Sequence, residues 1–315
     1  MEAITRSVPR EKLIKELTSE RFIRKTNYGD NEVYIFTHHD SPMLMQEVGR
    51  LREMAFRLAG GGTGEKIDID EMDTREDPYQ QLIVWNPEDQ EILGGYRFYK
   101  CIDAKKNDFD IDKLSTSHYF NFSEKFIKEY LPHMIELGRS FVQPFSTSGK
   151  RRKSLFALDN LWDGLGALVI DNPGMRYFFG KVTMYPHFDR FARDMILYFL
   201  YKYFGDPEKL ATPIDPMPLD LEREEITSIL TGKDYIEDYK LLSQHVRKLG
   251  ENVPPLINSY MNLSPTMKTF GTIINNDFGN VEETGIMITL KDMYISKVNR
   301  HLASYREDYQ LPSHE

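Results

Sequence analysis

The sequence predicts an α/β (α+β) fold, a mixed central β-sheet flanked by helices and carrying an acidic helical insertion. Three observations lead there. Segments of strand and helix periodicity follow one another in the order β-α-β-β-β-α-β-α between residues 31 and 204. An acidic, proline-containing stretch then interrupts them, and two more strand-like segments return near the C-terminus.

Residues 31–36 (NEVYIF) read as the first strand. Residues 42–58 follow with Leu44, Val48, Leu51, Met54, Ala55 and Leu58 on one helical stripe, opened by Pro42. Residues 60–64 (GGGTG) break that helix, and the loop reads as a flexible gate. Residues 81–85 and 91–99, joined at Asn86-Pro87-Glu88-Asp89-Gln90, form a hairpin pattern. A strand over 134–142, a helix over 154–170, a strand over 175–184 and an apolar helix over 188–204 come next. Residues 206–240 hold ten acidic and four basic side chains, which predicts a solvent-exposed insertion, helical in its second half. A short helix over 256–261 and strands over 269–275 and 284–290 close the pattern. A lone hairpin is marginal in water, so these strands are expected to join the main sheet. The resulting division is 1–30 as a basic helical extension, 31–205 as the core, 206–253 as the acidic insertion and 254–315 as the segment completing the sheet.

Composition narrows the function classes. The 315 residues include 40 Lys plus Arg against 49 Asp plus Glu, a net charge of −9, which argues against a general nucleic-acid binder. One cysteine, Cys101, excludes an intrachain disulfide framework and a multi-thiolate zinc site. His38-His39-Asp40 lacks a third ligand, and the acids after residue 68 lack the glycine and acid of a calcium loop, so no metal is expected. The most apolar run, residues 195–204, is interrupted by Lys202 and falls short of the roughly 20 residues a bilayer span needs. A cytoplasmic protein is expected, with residues 1–25, seven basic and four acidic, as the place for peripheral contact with an anionic inner-membrane face.

Three groups of charged residues stand out of this background: Asp68, Asp70 and Asp73 after the glycine loop; Glu136 and Arg139 inside an apolar strand; and Arg52 and Arg97 as cationic partners. Burying such charges costs several kcal/mol unless they pair. Arg52-x-x-x-Phe56, Asp68-x-Asp70-x-x-Asp73, Arg97 in GGYRF and Glu136-x-x-Arg139 occur in the order found in acyl-homoserine lactone synthases, which resemble the GCN5-related N-acetyltransferase (GNAT) fold. The sequence more closely resembles the ornithine/glycine N-acyltransferases, also labelled hemolysin-like. The similarity rests on residues 136–140 (ELGRS), 161–165 (LWDGL), Pro254-Pro255-Leu256-Ile257-x-x-Tyr260 and Asn276-Asp277-Phe278-Gly279.

That resemblance implies transfer of a (3-hydroxy) fatty acyl group from the phosphopantetheine thioester of acyl carrier protein to the α-amine of an amino acid such as glycine or ornithine, in amino-acid lipid biosynthesis. No tightly bound cofactor is implied. Glu136, Arg139 and Asp73 would stand at the reacting centre, with Glu136 as base, its pKa expected to rise on burial. Arg52, Asp68, Asp70 and Arg97 would bind the acceptor. Val142, Gly149, Lys150, Arg151 and Arg152 would receive the carrier, since three consecutive cations suit one phosphodiester on an acidic protein. Aromatics including Phe141, Phe145, Phe156, Trp162 and residues 177–179 would line an acyl tunnel. Rival readings are an acyl-CoA-dependent N-acetyltransferase of small amines and a non-catalytic, membrane-active lipid-binding protein.

Overall fold

The hydrophobic stripe of the first helix and the alternation of the central strands place most elements where the sequence puts them. The computed structural model describes residues 1–102, 109–144, 156–219 and 223–306. In chain order its main elements are α1 (Arg10–Glu16), β1 (Phe22–Lys25), β2 (Glu32–Phe36), α2 (Pro42–Leu58), α3 (Glu71–Thr74), β3 (Gln80–Asn86), β4 (Glu91–Lys100) and β5 (Phe120–Phe122). There follow β6 (Met134–Val142), α4 (Ala157–Asp171), β7 (Tyr177–Met184), α5 (Arg190–Phe204), β8 (Ala211–Pro213), α6 (Glu224–Ile229) and α7 (Tyr235–Lys248). The chain closes with α8 (Pro255–Met261), β9 (Lys268–Asn275), β10 (Val281–Thr289) and α9 (Ile295–Val298).

Eight strands form one mixed sheet in the order β1-β2-β3-β4-β6-β7-β10-β9. Within it β6 and β7 are the parallel pair, made possible by the crossover through α4. Gly94 and Gly95 of β4 admit their neighbours closely: a Cβ would stand 2.6 Å from the Phe141 carbonyl oxygen at Gly94 and 2.8 Å from that of Leu82 at Gly95. One face packs Leu137, Phe178 and Val182 against α4 and α5. The other face carries two apolar clusters, one beneath α2 and one formed with the chain between β4 and β6.

Two expectations change. The sheet starts at Phe22, before residue 31, because β1 pairs antiparallel with β2. Its Arg24 is buried and donates to the neighbouring Lys25 carbonyl and Asn27 side chain and, from distant chain, to the carbonyl of His301. The N-terminus is also fastened, since the Glu16 carboxylate accepts from Met43 N (3.1 Å) and Leu44 N (2.8 Å) at the start of α2. The acidic stretch is likewise built into the fold: β8 pairs with β5, and Leu210, Ile226, Leu230, Leu242 and Val246 are buried. Among the described residues no helix is long and apolar enough to cross a membrane.

Candidate active site

Period-two alternation sets Gln81 of β3, Arg97 of β4, Glu136 of β6, Lys181 of β7 and Glu283 of β10 on one face, opposite Leu137 and Phe178. The result is a polar row across five strands. Arg52 of α2 comes down onto it, donating to the Asp73 carboxylate at 3.1 and 3.3 Å and to Gln81, whose amide donates to Asp73 at 2.9 Å. Arg97 donates to both Asp70 oxygens at 2.7 Å and to Asp73 at 3.2 Å. Arg139 donates to Asp68 at 3.1 Å and lies 3.5 Å from Asp70. Three arginines therefore meet three aspartates, and the cluster is neutral.

Burial pushes the Asp73 carboxyl up, but Arg52 and Arg97 outweigh it and hold Asp73 well below the usual carboxylate range. At Asp68 burial prevails over Arg139, Arg52 and Arg97, so its pKa is raised. Asp70 and Asp73 also form a capping box at α3, each side chain accepting the other's backbone N–H at 3.3 Å. Part of the Asp-x-x-Asp spacing is thus helix-capping grammar.

Beside the cluster the sheet opens. β6 and β7 pair from Met134↔Tyr177 to Leu137↔Gly180 and then part. β6 continues along β4 with a bulge, Gly95 facing Phe141 and Arg97 facing Gly138, and Arg139 takes a left-handed φ of 48° within it. β7 continues along β10. A cleft of about 490 Å³ occupies the gap. Asp70, Arg97, Arg139, Lys181 and Glu283 make its polar side, while Val142, Leu158 and Leu256 make an apolar end toward α4 and α8.

Of the residues singled out from sequence, Asp70, Arg97, Arg139 and Val142 line this cleft. Arg52, Asp68, Asp73 and Glu136 are fully buried and stand behind its wall. Direct substrate contact by Arg52 or Asp68 does not match those positions, nor does a place for Asp73 at the reacting atoms. Glu136 departs furthest from expectation. Its Oε2 accepts from the Tyr79 hydroxyl and from Ser115 N at 3.2 Å, and its Oε1 from Ser115 Oγ at 3.1 Å and Thr116 N at 2.9 Å. Four donors surround the carboxylate, Ser115 N being shared with the Tyr79 hydroxyl oxygen at 2.9 Å, and the group stands behind the cleft wall rather than on it. Gly149, Lys150, Arg151 and Arg152 lie outside the described residues, as does Phe145. Among the proposed tunnel aromatics Phe141 lines the cleft; Phe156 instead stacks on Tyr28 and Trp162 packs against Tyr260.

The glycine loop is held, contrary to the gate expected of it. Glu53, buried on α2, accepts from Thr63 N (3.0 Å), Thr63 Oγ1 (2.8 Å) and Gly64 N (2.8 Å). Gly61 packs against Tyr185 and the Phe278 carbonyl, where a Cβ would come within 3.1 and 3.4 Å. Phe278 in turn meets Phe56 edge-on at 5.1 Å, and both border the cleft. Glu53→Ala should accelerate hydrogen exchange at Thr63 and Gly64 and cost about 2–3 kcal/mol of stability. Unaltered protection of those amides would show that the loop is held by something else.

Sequence reasoning passed over Ser115, His118, Tyr119, Lys181 and Glu283, all on the cleft. Lys181 in an apolar strand was a visible signal, but its pairing with Glu283, at 2.7 Å, depends on the β7–β10 register. Burial pushes the Tyr119 hydroxyl up to about 12, with the Glu283 charge adding to it.

Residues 51–156, from the middle of α2 to the residue before α4, match the acetyltransferase (GNAT) domain model. The GNAT-type mixed sheet expected from the motifs is the fold of this chain. The sequence is 54% identical over 310 residues to a glycine N(alpha)-acyltransferase of Bacteroides thetaiotaomicron, covering 98% of this chain and 92% of that one. It is 52% identical over 306 residues to a glycine N(alpha)-acyltransferase of Phocaeicola vulgatus, covering 97% and 94%. Among solved structures, an N-acyl amino acid synthase from uncultured soil microbes superposes with a TM-score of 0.40 at 7% identity, over 85% of this chain and 96% of that one.

Proposed function

Since the chain belongs to the family of the glycine N(alpha)-acyltransferases, we propose that it moves a (3-hydroxy) fatty acyl group from acyl carrier protein to the α-amine of glycine, in the cytoplasm, as a step in amino-acid lipid biosynthesis. The observation that carries the reading is the parting of β6 from β7 beside a charged cleft. Among the described residues the β7-facing edge of β6 has no strand partner beyond Leu137, and an extended phosphopantetheine arm with its two amides can lie there as an added strand. The apolar end reaches Leu158 in the first turn of α4 and Leu256 of α8, and the carrier is proposed to dock through Lys150, Arg151 and Arg152.

The chemistry follows from the two ligands. A glycine ammonium must lose a proton before its nitrogen attacks the thioester carbon. The C–N bond then forms, the C–S bond breaks, and the thiol leaves with a proton. Glu136 in this account is a positioning residue: it holds residues 115–116 and so sets Ser115, His118 and Tyr119 on the cleft. The neutral arginine–aspartate cluster gives the cleft a rigid wall. Glycine is preferred to ornithine because both curated relatives carry glycine in their names.

Expression in a host lacking such lipids, followed by mass spectrometry of the extract, is expected to reveal N-acylated glycine. An unchanged extract, or acetylated small amines instead, would overturn the reading. Reversing the charges of Lys150, Arg151 and Arg152 together should raise the KM for acyl carrier about tenfold while leaving that for glycine within about twofold. A KM for carrier that stays put would remove this segment from docking.

A further inference from the structure

On the wall facing Arg139, β7 and β10 bring a lysine and a glutamate together at the point where the sheet divides. Lys181 is the first residue after the last β6–β7 pair, Leu137↔Gly180. Glu283 stands diagonally across on β10, where Lys181 is opposite Gly285 and Glu283 is opposite Thr183. The Lys181 Nζ lies 2.7 Å from the Glu283 carboxylate, and the side chains are 13% and 6% exposed. Asn275 donates to Glu283 at 3.1 Å, and the ammonium sits 3.8 Å from the centre of the Tyr119 ring.

We propose that Lys181 and Glu283 are the acceptor subsite, Lys181 receiving the carboxylate of the free amino acid and Glu283 its ammonium. The inference rests on the N-acyl transfer reading above and assigns its acceptor to particular residues. An ion pair in a cleft wall is matched by a zwitterion, which carries the same two charges. Inserted between them, glycine exchanges one lysine–carboxylate contact for another and one ammonium–glutamate contact for another, so the net charge of the wall stays zero throughout. The opposite wall is less suited to this exchange. Arg52, Asp68 and Asp73 there are fully buried, and Arg97 already spans Asp70 and Asp73.

Electrostatics and position agree. Burial pushes the Lys181 pKa down against the pull of Glu283, so a second anion beside this ammonium is a favourable addition. A thioester arm laid along the free edge of β6 runs past Gly138, across the gap from Lys181. An amino acid held by its two charges at Lys181 and Glu283 then has its nitrogen at the gap rather than at the cleft's apolar end.

The test is a coupling measurement with purified enzyme, acyl carrier thioester as donor, and glycine or glycinamide as acceptor. Wild-type enzyme should have a KM for glycinamide, which lacks the carboxylate, about tenfold or more above that for glycine. Lys181→Met should raise the KM for glycine about tenfold, leave that for the donor within about twofold, and abolish the preference over glycinamide. Should Lys181→Met fold poorly, the double variant Lys181→Met/Glu283→Met, which leaves no unpaired charge, must show the same loss of preference. A variant that still prefers glycine over glycinamide as wild type does would overturn the subsite alone. Wild-type enzyme without any glycine turnover would overturn the functional reading and the subsite with it.

Discussion

Glu136→Gln is expected to cost about 3 kcal/mol of stability and, through it, most of the turnover. Each carboxylate oxygen accepts a backbone N–H, from Ser115 at one and Thr116 at the other, in addition to a hydroxyl. An amide has one accepting oxygen. With its NH2 group in the place of Oε1, Thr116 N is left unpaired at full burial; in the place of Oε2, the Tyr79 hydroxyl loses its acceptor, although Ser115 N keeps the Tyr79 oxygen at 2.9 Å. The 114–117 segment loses its anchor, and Ser115, His118 and Tyr119 lose their place on the cleft. Urea unfolding should show the midpoint shift, and pH–rate profiles of the residual activity should keep their acid limb. A variant as stable as wild type whose profile loses that limb would restore Glu136 as the base.

Arg52→Met is expected to be more damaging still, by about 3–5 kcal/mol, because it takes from a buried carboxylate one of its two arginine partners. Asp73 would keep Arg97 and Gln81, yet lose the guanidinium that bonds it at 3.1 and 3.3 Å. Gln81 would lose its donor in the same step. Arg52→Lys should recover part of this, since an ammonium cannot span Asp73 and Gln81 with a fixed fork. Soluble yield and denaturant midpoint are the readouts. Stable Arg52→Met protein with a raised glycine KM would show a substrate role for Arg52 that its burial argues against.

Local patterns were legible and long-range ones were not. The α2 stripe with Pro42 at its first turn and the strand Met134–Val142 are found at the bounds the sequence implies, because each signal lies within one element. β1 was hidden since its buried Arg24 draws its partners from as far away as His301. β5 and β8, three residues each, pair across some ninety residues of chain and have no local signature. The site divides in the same way. The residue types pointed to Asp68, Asp70, Asp73, Arg52, Arg97, Arg139 and Glu136, and the fold does gather them. Which of them faces the cleft is a matter of tertiary burial, invisible in spacing, so struts and surface groups read alike. Lys181 and Glu283 required knowledge of strand register.

Acyl transfer to glycine is tested most directly by a single-turnover assay. Purified protein is mixed with a stoichiometric long-chain acyl carrier thioester and isotopically labelled glycine, and the products are separated by mass. The expected result is N-acylglycine formed in step with free carrier thiol. Release of thiol without label in the acyl product, or labelled product formed only when a short-chain acyl-CoA replaces the carrier thioester, would contradict it.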